Sequence, residues 1–279
     1  MKEYFLRTYR GKTQSLGKAV YELYPDLPYS LLARLLKQRD VFLDGVRSRS
    51  DVLVAAGHTL NLYCQPAMIK IPVVYRDEDL AVVYKPKGVA SDGEHSFESL
   101  ARYVFGDNLT LLHRLDTNTD GLLMFALNPH AYEVLYRANS EHRIVKYYRA
   151  VVNGAVWQES VLEGYLLKDA DKGRVKIYHE PKEGAEYVEC KVTPISCDNR
   201  CATVNIKLKG GKTHQLRAQL ADWGHFILGD GKYGDDRVNR AFHMDKQQLT
   251  AVSLVFPTLP ELPALSGRTI NLPDEYLTI

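Results

Sequence analysis

The chain is poor in cysteine: four residues in 279, Cys64, Cys190, Cys197 and Cys201, with no two spaced as a Cys-x-x-Cys pair. No Cys–His grouping has zinc-ligand spacing either, so neither a disulfide framework nor a metal is expected. No apolar run reaches the length of a membrane span. The opening Met1-Lys2-Glu3-Tyr4-Phe5-Leu6-Arg7 lacks the apolar core of a signal peptide. A soluble, cytoplasmic protein with no membrane partner is the expectation. Also missing are a GxxxxGK[ST] phosphate loop and a dinucleotide fingerprint, which argues against nucleotide hydrolysis and nicotinamide or flavin chemistry. The sequence gives no reason to expect a cofactor of any kind.

What is present is an ordinary globular composition, 45% hydrophobic and 25% charged, with an uneven distribution of charge. Residues 1–70 carry 11 Lys and Arg against 6 Asp and Glu, while the rest of the chain carries 25 against 28. A basic N-terminal piece on a slightly acidic body suits contact with a polyanion. The length fits one large domain and one small one.

The N-terminal piece reads as two helices and a hairpin. Leu16, Ala19, Val20 and Leu23 recur at helical spacing. Ser30 is placed to cap a second helix over 31–38, which buries Leu31, Leu32, Leu35 and Leu36 and leaves Arg34 and Lys37 outside. Val41-Phe42-Leu43, the Asp44-Gly45 turn and the basic return through Arg47 and Arg49 form a hairpin, and 59–63 alternates as a closing strand. Residues 65–70, near Pro66 and Pro72, read as a linker.

Beyond the linker, strands are expected over 73–75 and 80–84, followed by Lys85-Pro86-Lys87-Gly88 and a helix over 97–105. The most informative stretch is 111–128, Leu-Leu-His-Arg-Leu-Asp-Thr-Asn-Thr-Asp-Gly-Leu-Leu-Met-Phe-Ala-Leu-Asn. A charged, turn-prone centre from His113 to Gly121 lies between two apolar runs, so Asp116 is held at both ends by core yet can be reached. A helix over 131–137 should turn Tyr132, Leu135 and Tyr136 to the core. In the strand 146–152, Tyr147 and Tyr148 point to opposite faces, so that one packs and the other faces a cleft. From 160 to 200 only strands over 174–178 and 186–192 stand out, and no site is found there. Ala202, Val204, Ile206 and Leu208 alternate on one strand face. Gly210-Gly211 then turns the chain into a helix starting near Lys212, with Leu216, Leu220 and Trp223 as its buried stripe. His214 and Arg217 fall near its exposed or cleft side, His214 being read as a helix-start hydrogen bond.

Three of these segments, in this order, resemble the RluA-type pseudouridine synthases. They are Lys85-Pro86-Lys87-Gly88, His113-Arg114-Leu115-Asp116 with Thr119 and Gly121, and Lys212-Thr213-His214-Gln215-Leu216-Arg217 continued by Gly229-Asp230 and Tyr233-Gly234. The chain departs from the pattern at Tyr84, where that family more often has Asn, at Asp120, where Ser is usual, and at Lys212, where an Arg is usual. Residues 1–65, through Leu32 to Lys37, Arg39, Val41, Asp44-Gly45 and the Gly57-His58-Thr59-Leu60 ending, are similar to the small αL-type RNA-binding domain of ribosomal small-subunit protein four.

The resemblance implies an α+β fold: a mixed, mainly antiparallel sheet with flanking helices and a central cleft in a catalytic domain over 66–279, joined to the small N-terminal domain. It implies isomerisation of uridine to pseudouridine, with Asp116 as the essential carboxylate, Arg217 as its ion-pair partner and Tyr148 stacked on the target base. Arg114 would fill the gap left by the flipped base, with His113 beside it. Arg34, Lys37, Arg39, Arg47 and Arg49 would meet phosphates. Ribosomal RNA of the large subunit is the expected substrate, with transfer RNA as the alternative and a monomer as the expected state. A non-catalytic RNA-binding or ribosome-assembly factor on the same fold is the competing reading. A glycosidase is disfavoured, because no convincing second acid accompanies Asp116 beyond Asp120.

Overall fold

The computed structural model describes residues 5–25, 27–64, 68–169 and 173–277, so the expected linker lies partly outside the described residues. The chain forms two compact units, residues 1–72 with 88–109, and residues 73–87 with 110–279.

In the first unit a four-stranded antiparallel sheet runs in the order Arg7–Thr8, Thr59–Leu62, Val41–Leu43, Val46–Arg47. Asp44 and Gly45 both take positive φ, 47° and 82°, as a two-residue hairpin turn of this kind requires. The helices Leu16–Leu23 and Tyr29–Gln38 bury Leu16, Ala19 and Val20 from one and Leu31, Leu32 and Leu35 from the other. The second helix begins earlier than the sequence suggests. Pro28 sits at its N-cap with no side-chain capping bond, which leaves Ser30 inside the first turn. Proline there has its φ already set and has no N–H to satisfy. The helix Phe97–Phe105 belongs to this unit too. Its Ser96 cap accepts from the Ser99 amide, Tyr103 donates to the Cys64 carbonyl at 2.9 Å, and Phe5 meets the Tyr103 ring edge-on at 5.1 Å.

The second unit is built on a mostly antiparallel sheet of eleven strands. Along its main path come Arg174–Tyr178, Ser160–Asp169, Glu186–Cys197, Cys201–Lys209, Val145–Asn153, Leu249–Val255, Asp120–Ala126, Leu80–Lys85 and Val73–Arg76. Asp120–Ala126 and Leu249–Val255 run parallel, and the other pairs are antiparallel. The strand Ser160–Asp169 falls where the sequence offered only loops. Its apolar residues are interrupted by Glu163, Gly164 and Lys168, which hides the alternation.

On one face, Leu80, Val82, Leu122 and Met124 pack under Ala131, Val134, Leu135 and Ala138 of the helix Pro129–Ser140. That helix starts cleanly, with proline in its first turn and the Asn128 side chain accepting from the Ala131 amide at 2.8 Å. Tyr136 is exposed rather than in the core and stacks on Tyr132, which is partly buried. At the other end of the sheet, Ala218 of the helix Gln215–Asp222 packs on Leu166, Val175, Ile177 and Val188. Every residue from Gln215 to Leu220 is buried, so this short helix is a central element and not a surface one.

Candidate active site

The loop that carries Asp116 is tied down by its neighbours on both sides. The Thr119 amide closes a turn on the Asp116 carbonyl at 3.0 Å, and Gln247 donates to the buried Thr119 hydroxyl at 2.8 Å. Leu115 is buried, and the Lys85 ammonium reaches the Thr117 carbonyl at 3.3 Å. At the loop's entry, the Met124 amide donates to His113 Nε2 at 3.3 Å. Burial, with the charge of Lys146 added, drives the His113 pKa down to about 3. The ring is therefore neutral. It supports the loop and brings no positive charge to a phosphate.

Asp116 faces an arginine that is itself held by a second aspartate. Arg217 Nη1 donates to Asp116 Oδ2 at 3.0 Å, while its Nε and Nη2 donate to Asp230 Oδ2 and Oδ1 at 2.7 and 2.9 Å. The fork on Asp230 fixes the guanidinium plane, and the remaining edge is aimed at Asp116. Burial works against the Arg217 charge, but the two carboxylates outweigh it and its pKa is raised. Burial likewise opposes the Asp230 charge, but Arg217 and the amides of Tyr233 and Lys232 hold its carboxyl below the ordinary aspartate range. Arg217 is buried and not exposed, with its charge compensated inside the protein by Asp230 and by Asp116, the partner the resemblance implied.

The sheet register sets out the floor beside this loop. Lys85 pairs with Gly121, Gly121 with Ala251, and Ala251 with Tyr148, so the four residues form one row across four strands and share a face. Lys85 and Tyr148 stand at the ends, about 14 Å apart at ordinary strand spacing, and the two residues between them are small. Gly121 has φ 111°, and a Cβ there would come 2.2 Å from the Ala251 carbonyl oxygen, so no other residue fits. Tyr148 is 7% exposed, and burial together with the charge of Asp116 raises its pKa. The phenol therefore keeps its proton at neutral pH. Tyr147 lies on the other face and is half-buried.

Two lysines hold the region from below. Lys146, 5% exposed, donates to Asn139 Oδ1 at 2.5 Å and to the Gly210 carbonyl at 3.3 Å, and burial lowers its pKa to about 8. Lys85 is fully buried; burial lowers its pKa to about 8 against the pull of Asp120 and then Asp116.

Other residues named from the sequence stand as follows. Arg114 is exposed on the loop. His214 takes a left-handed conformation, φ 57°, and makes no capping bond; its Nδ1 lies 3.1 Å from the Tyr233 hydroxyl instead. The Tyr233 ring packs under the Arg217 guanidinium, 5.1 Å from its centroid. Lys212 pairs with Glu186 at the protein surface. In the first unit Arg34, Lys37, Arg39, Arg47 and Arg49 are all exposed, and Arg47 pairs with Asp40 at 2.8 Å. The residues that sequence reasoning left without a role are Asp230, Tyr233 and Lys85. The Gly229-Asp230 and Tyr233-Gly234 spacing was the available signal for the first two.

Comparison with known proteins supplies the decisive observation. A family model described as RNA pseudouridylate synthase matches residues 79–222, just over half of the chain, a span that contains Asp116, Tyr148 and Arg217. The chain belongs to the RNA pseudouridylate synthase family. Its similarity extends to an uncharacterized RNA pseudouridine synthase of Aquifex aeolicus, 27% identical over 80% of this chain and 78% of that one. A tRNA pseudouridine synthase C of Vibrio parahaemolyticus is 32% identical over 63% of this chain and 78% of its own. Among solved structures, human RNA pseudouridylate synthase domain containing 1 superposes with a TM-score of 0.59 at 27% identity, covering 75% of this chain and 93% of the human one. The enzyme is thus a pseudouridine synthase, an isomerase whose substrate is RNA.

Among the described residues no helix is long and apolar enough to cross a membrane, and no group of His, Cys, Asp and Glu is placed to hold a metal ion.

Proposed function

We propose that the protein is an RluA-type synthase that isomerises specific uridines in large-subunit ribosomal RNA, with Asp116, Arg217 and Tyr148 as its catalytic set. The observation that carries this reading is the Arg217 bridge, which holds the Asp116 carboxylate at 3.0 Å with its own plane fixed by Asp230. The reaction breaks the bond from ribose C1′ to base N1, turns the base, forms the bond from C1′ to C5, and moves protons so that C5 loses one and N1 gains one. Electrons balance without an oxidant, and no water is consumed. The reaction needs a fixed, ionised carboxylate beside the sugar, acting either on C1′ or on a ribose proton. The Arg217 guanidinium stands 3.0 Å from the Asp116 carboxylate as its counter-charge and fixes its orientation. Tyr148 would stack on the turned base. Because its phenol holds its proton, it can serve the C5 position only as a donor or by first giving that proton away, which leaves a carboxylate or solvent to take up the C5 proton.

The target uridine has to leave its stack to reach this floor. Exposed Arg114, two residues before Asp116, would fill the vacated place. In the same proposal residues 1–65 act as an RNA-binding domain like that of ribosomal small-subunit protein four, and residues 66–279 as the catalytic domain. Two helices, an Asp-Gly hairpin and a closing strand support that likeness. Arg34, Lys37, Arg39, Arg47 and Arg49 would contact phosphates. Transfer RNA is the second reading, favoured by the similarity to the tRNA pseudouridine synthase C of Vibrio parahaemolyticus. Tritium release from unmodified, 5-tritiated transcripts separates the two. Release from ribosomal RNA and not from transfer RNA is the expected result, and the reverse pattern would move the assignment to transfer RNA.

A further inference from the structure

Tyr233 has no role from the sequence, yet four groups converge on its side chain. Its oxygen accepts from the Val175 amide at 2.8 Å and lies 3.1 Å from His214 Nδ1. The Arg217 guanidinium stands 5.1 Å from the ring centroid, the Arg174 guanidinium 5.9 Å, and the His214 ring meets it edge-on at 5.5 Å. The Tyr233 amide donates to Asp230 Oδ1 at 3.0 Å, beside the Lys232 amide at 2.8 Å. The Lys232 ammonium reaches the Gly173 carbonyl at 2.8 Å, so this loop and the edge strand Arg174–Tyr178 are tied at two points.

These bonds fix the imidazole. A phenol has one proton to give, and its oxygen already accepts the Val175 N–H. Among the described residues the phenol proton has one acceptor, His214 Nδ1. Burial raises the Tyr233 pKa, so that proton is in place at neutral pH. Burial also lowers the His214 pKa, against the charge of Asp116, so the ring is neutral and carries a single N–H. With Nδ1 accepting, that N–H is at Nε2. Nε2 makes no hydrogen bond among the described residues, and the ring is half-buried. The left-handed turn at His214, φ 57°, is uncommon for a residue with a side chain, and it sets the ring on Tyr233 instead of on the helix start.

We propose that His214 is an RNA-binding residue whose Nε2–H donates to a phosphate of the target nucleotide, with Tyr233 as the positioning residue that sets its tautomer. The surroundings favour phosphate. Exposed Arg174 packs on the same ring, and Lys232, with ammonium protons left over after Gly173, adjoins it. The two cations supply charge, and the neutral N–H supplies direction. The place suits the reacting nucleotide, because the Tyr233 ring is one guanidinium away from Asp116. Arg217 packs on that ring and donates to Asp116 Oδ2 at 3.0 Å.

The proposal rests on Asp116 as the reacting carboxylate, but its test needs no turnover. Nitrogen NMR of the full chain carrying ¹⁵N-histidine, with the His214 signals assigned by their loss in His214→Gln, reads the tautomer. Wild type should show a protonated Nε2 and a bare Nδ1, and Tyr233→Phe should redistribute the proton between the two nitrogens. The probes are uridine 5′-monophosphate, uridine 3′-monophosphate and uridine. At least one monophosphate should shift the Nε2 signal, and uridine should leave it in place. His214→Ala should weaken binding of that monophosphate by about tenfold or more, as expected for loss of a hydrogen bond to a charged group. His214→Gln, which keeps a side-chain N–H, should weaken it less. Should His214→Ala fail to fold, Tyr233→Phe carries the same test with a smaller expected loss. A protonated Nδ1 in wild type, a shift by uridine as large as that by the monophosphates, or no shift by any probe would overturn the proposal. Monophosphate binding through His214 in a wild type that releases no tritium from RNA would leave it standing and overturn the catalytic reading of Asp116 instead.

Discussion

Arg217 and Arg47 each donate to an aspartate, at 3.0 Å to Asp116 and at 2.8 Å to Asp40, yet their surroundings differ completely. The Arg217 side chain is 9% exposed and is clamped by a second carboxylate, whereas the Arg47 side chain is 55% exposed and borders water. In the first case removing one partner strands an uncompensated charge inside the protein. In the second, water takes over the interaction and little is lost. A short distance therefore does not identify a working ion pair. Burial and a third group that fixes the geometry do. The same contrast runs through the two units: the second buries Arg217 between two carboxylates, whereas in the first Arg34, Lys37, Arg39, Arg47 and Arg49 are exposed.

Breaking that comparison at its strongest point should give the largest effect. Arg217→Met leaves Asp230 buried without its partner and is expected to destabilise the protein by about 3–5 kcal/mol. Thermal unfolding should register this as a fall of roughly 10 °C, with tritium release reduced by about 10³-fold or more because Asp116 loses its bridge. A melting temperature unchanged from wild type would show that Asp230 is stabilised by its backbone amides alone.

Gly121→Ala tests the floor instead of the charges. Its Cβ would press on the Ala251 backbone at 2.2 Å with φ at 111°, so a loss of about 3 kcal/mol is expected from strain and displaced strands. Denaturant unfolding would read it. A smaller effect is expected when Arg34 and Lys37 are replaced by Ala. The slope of log affinity against log salt should fall by about one for each phosphate contact removed, with stability unchanged within about 0.5 kcal/mol. An unchanged slope would make these residues a solvated face. Smallest of all, Arg47→Ala should cost under about 1 kcal/mol of stability despite its 2.8 Å pair.

These differences also show why some of the molecule could be read from sequence and some could not. The helix over 97–105 and the strand face of Ala202, Val204, Ile206 and Leu208 were legible because a regular apolar period maps directly onto burial. That Asp116 sits on a loop held at both ends was legible because local turn chemistry lies between two apolar runs. The pairing of Arg217 with Asp116, 101 residues away, was available only through the resemblance, and its clamp on Asp230, 13 residues away, was not anticipated at all. No periodicity records such a pairing. Tyr84 and Asp120 each looked like an isolated departure for the same reason, being 36 residues apart in sequence and in contact in the fold. Ser30 was an error of a different kind: a good capping residue was outcompeted by a proline two positions earlier.

The account stands most directly on Asp116. Tritium release from 5-tritiated, unmodified RNA should be measured for wild type and for Asp116→Ala, with folding of the variant verified by its melting temperature. Release by wild type, and a loss of at least about 10⁴-fold in the folded variant, is the predicted result for removal of the reacting group. Comparable release by both proteins would contradict the assignment of Asp116. Absence of release from both, across ribosomal and transfer RNA, would contradict the proposed substrates.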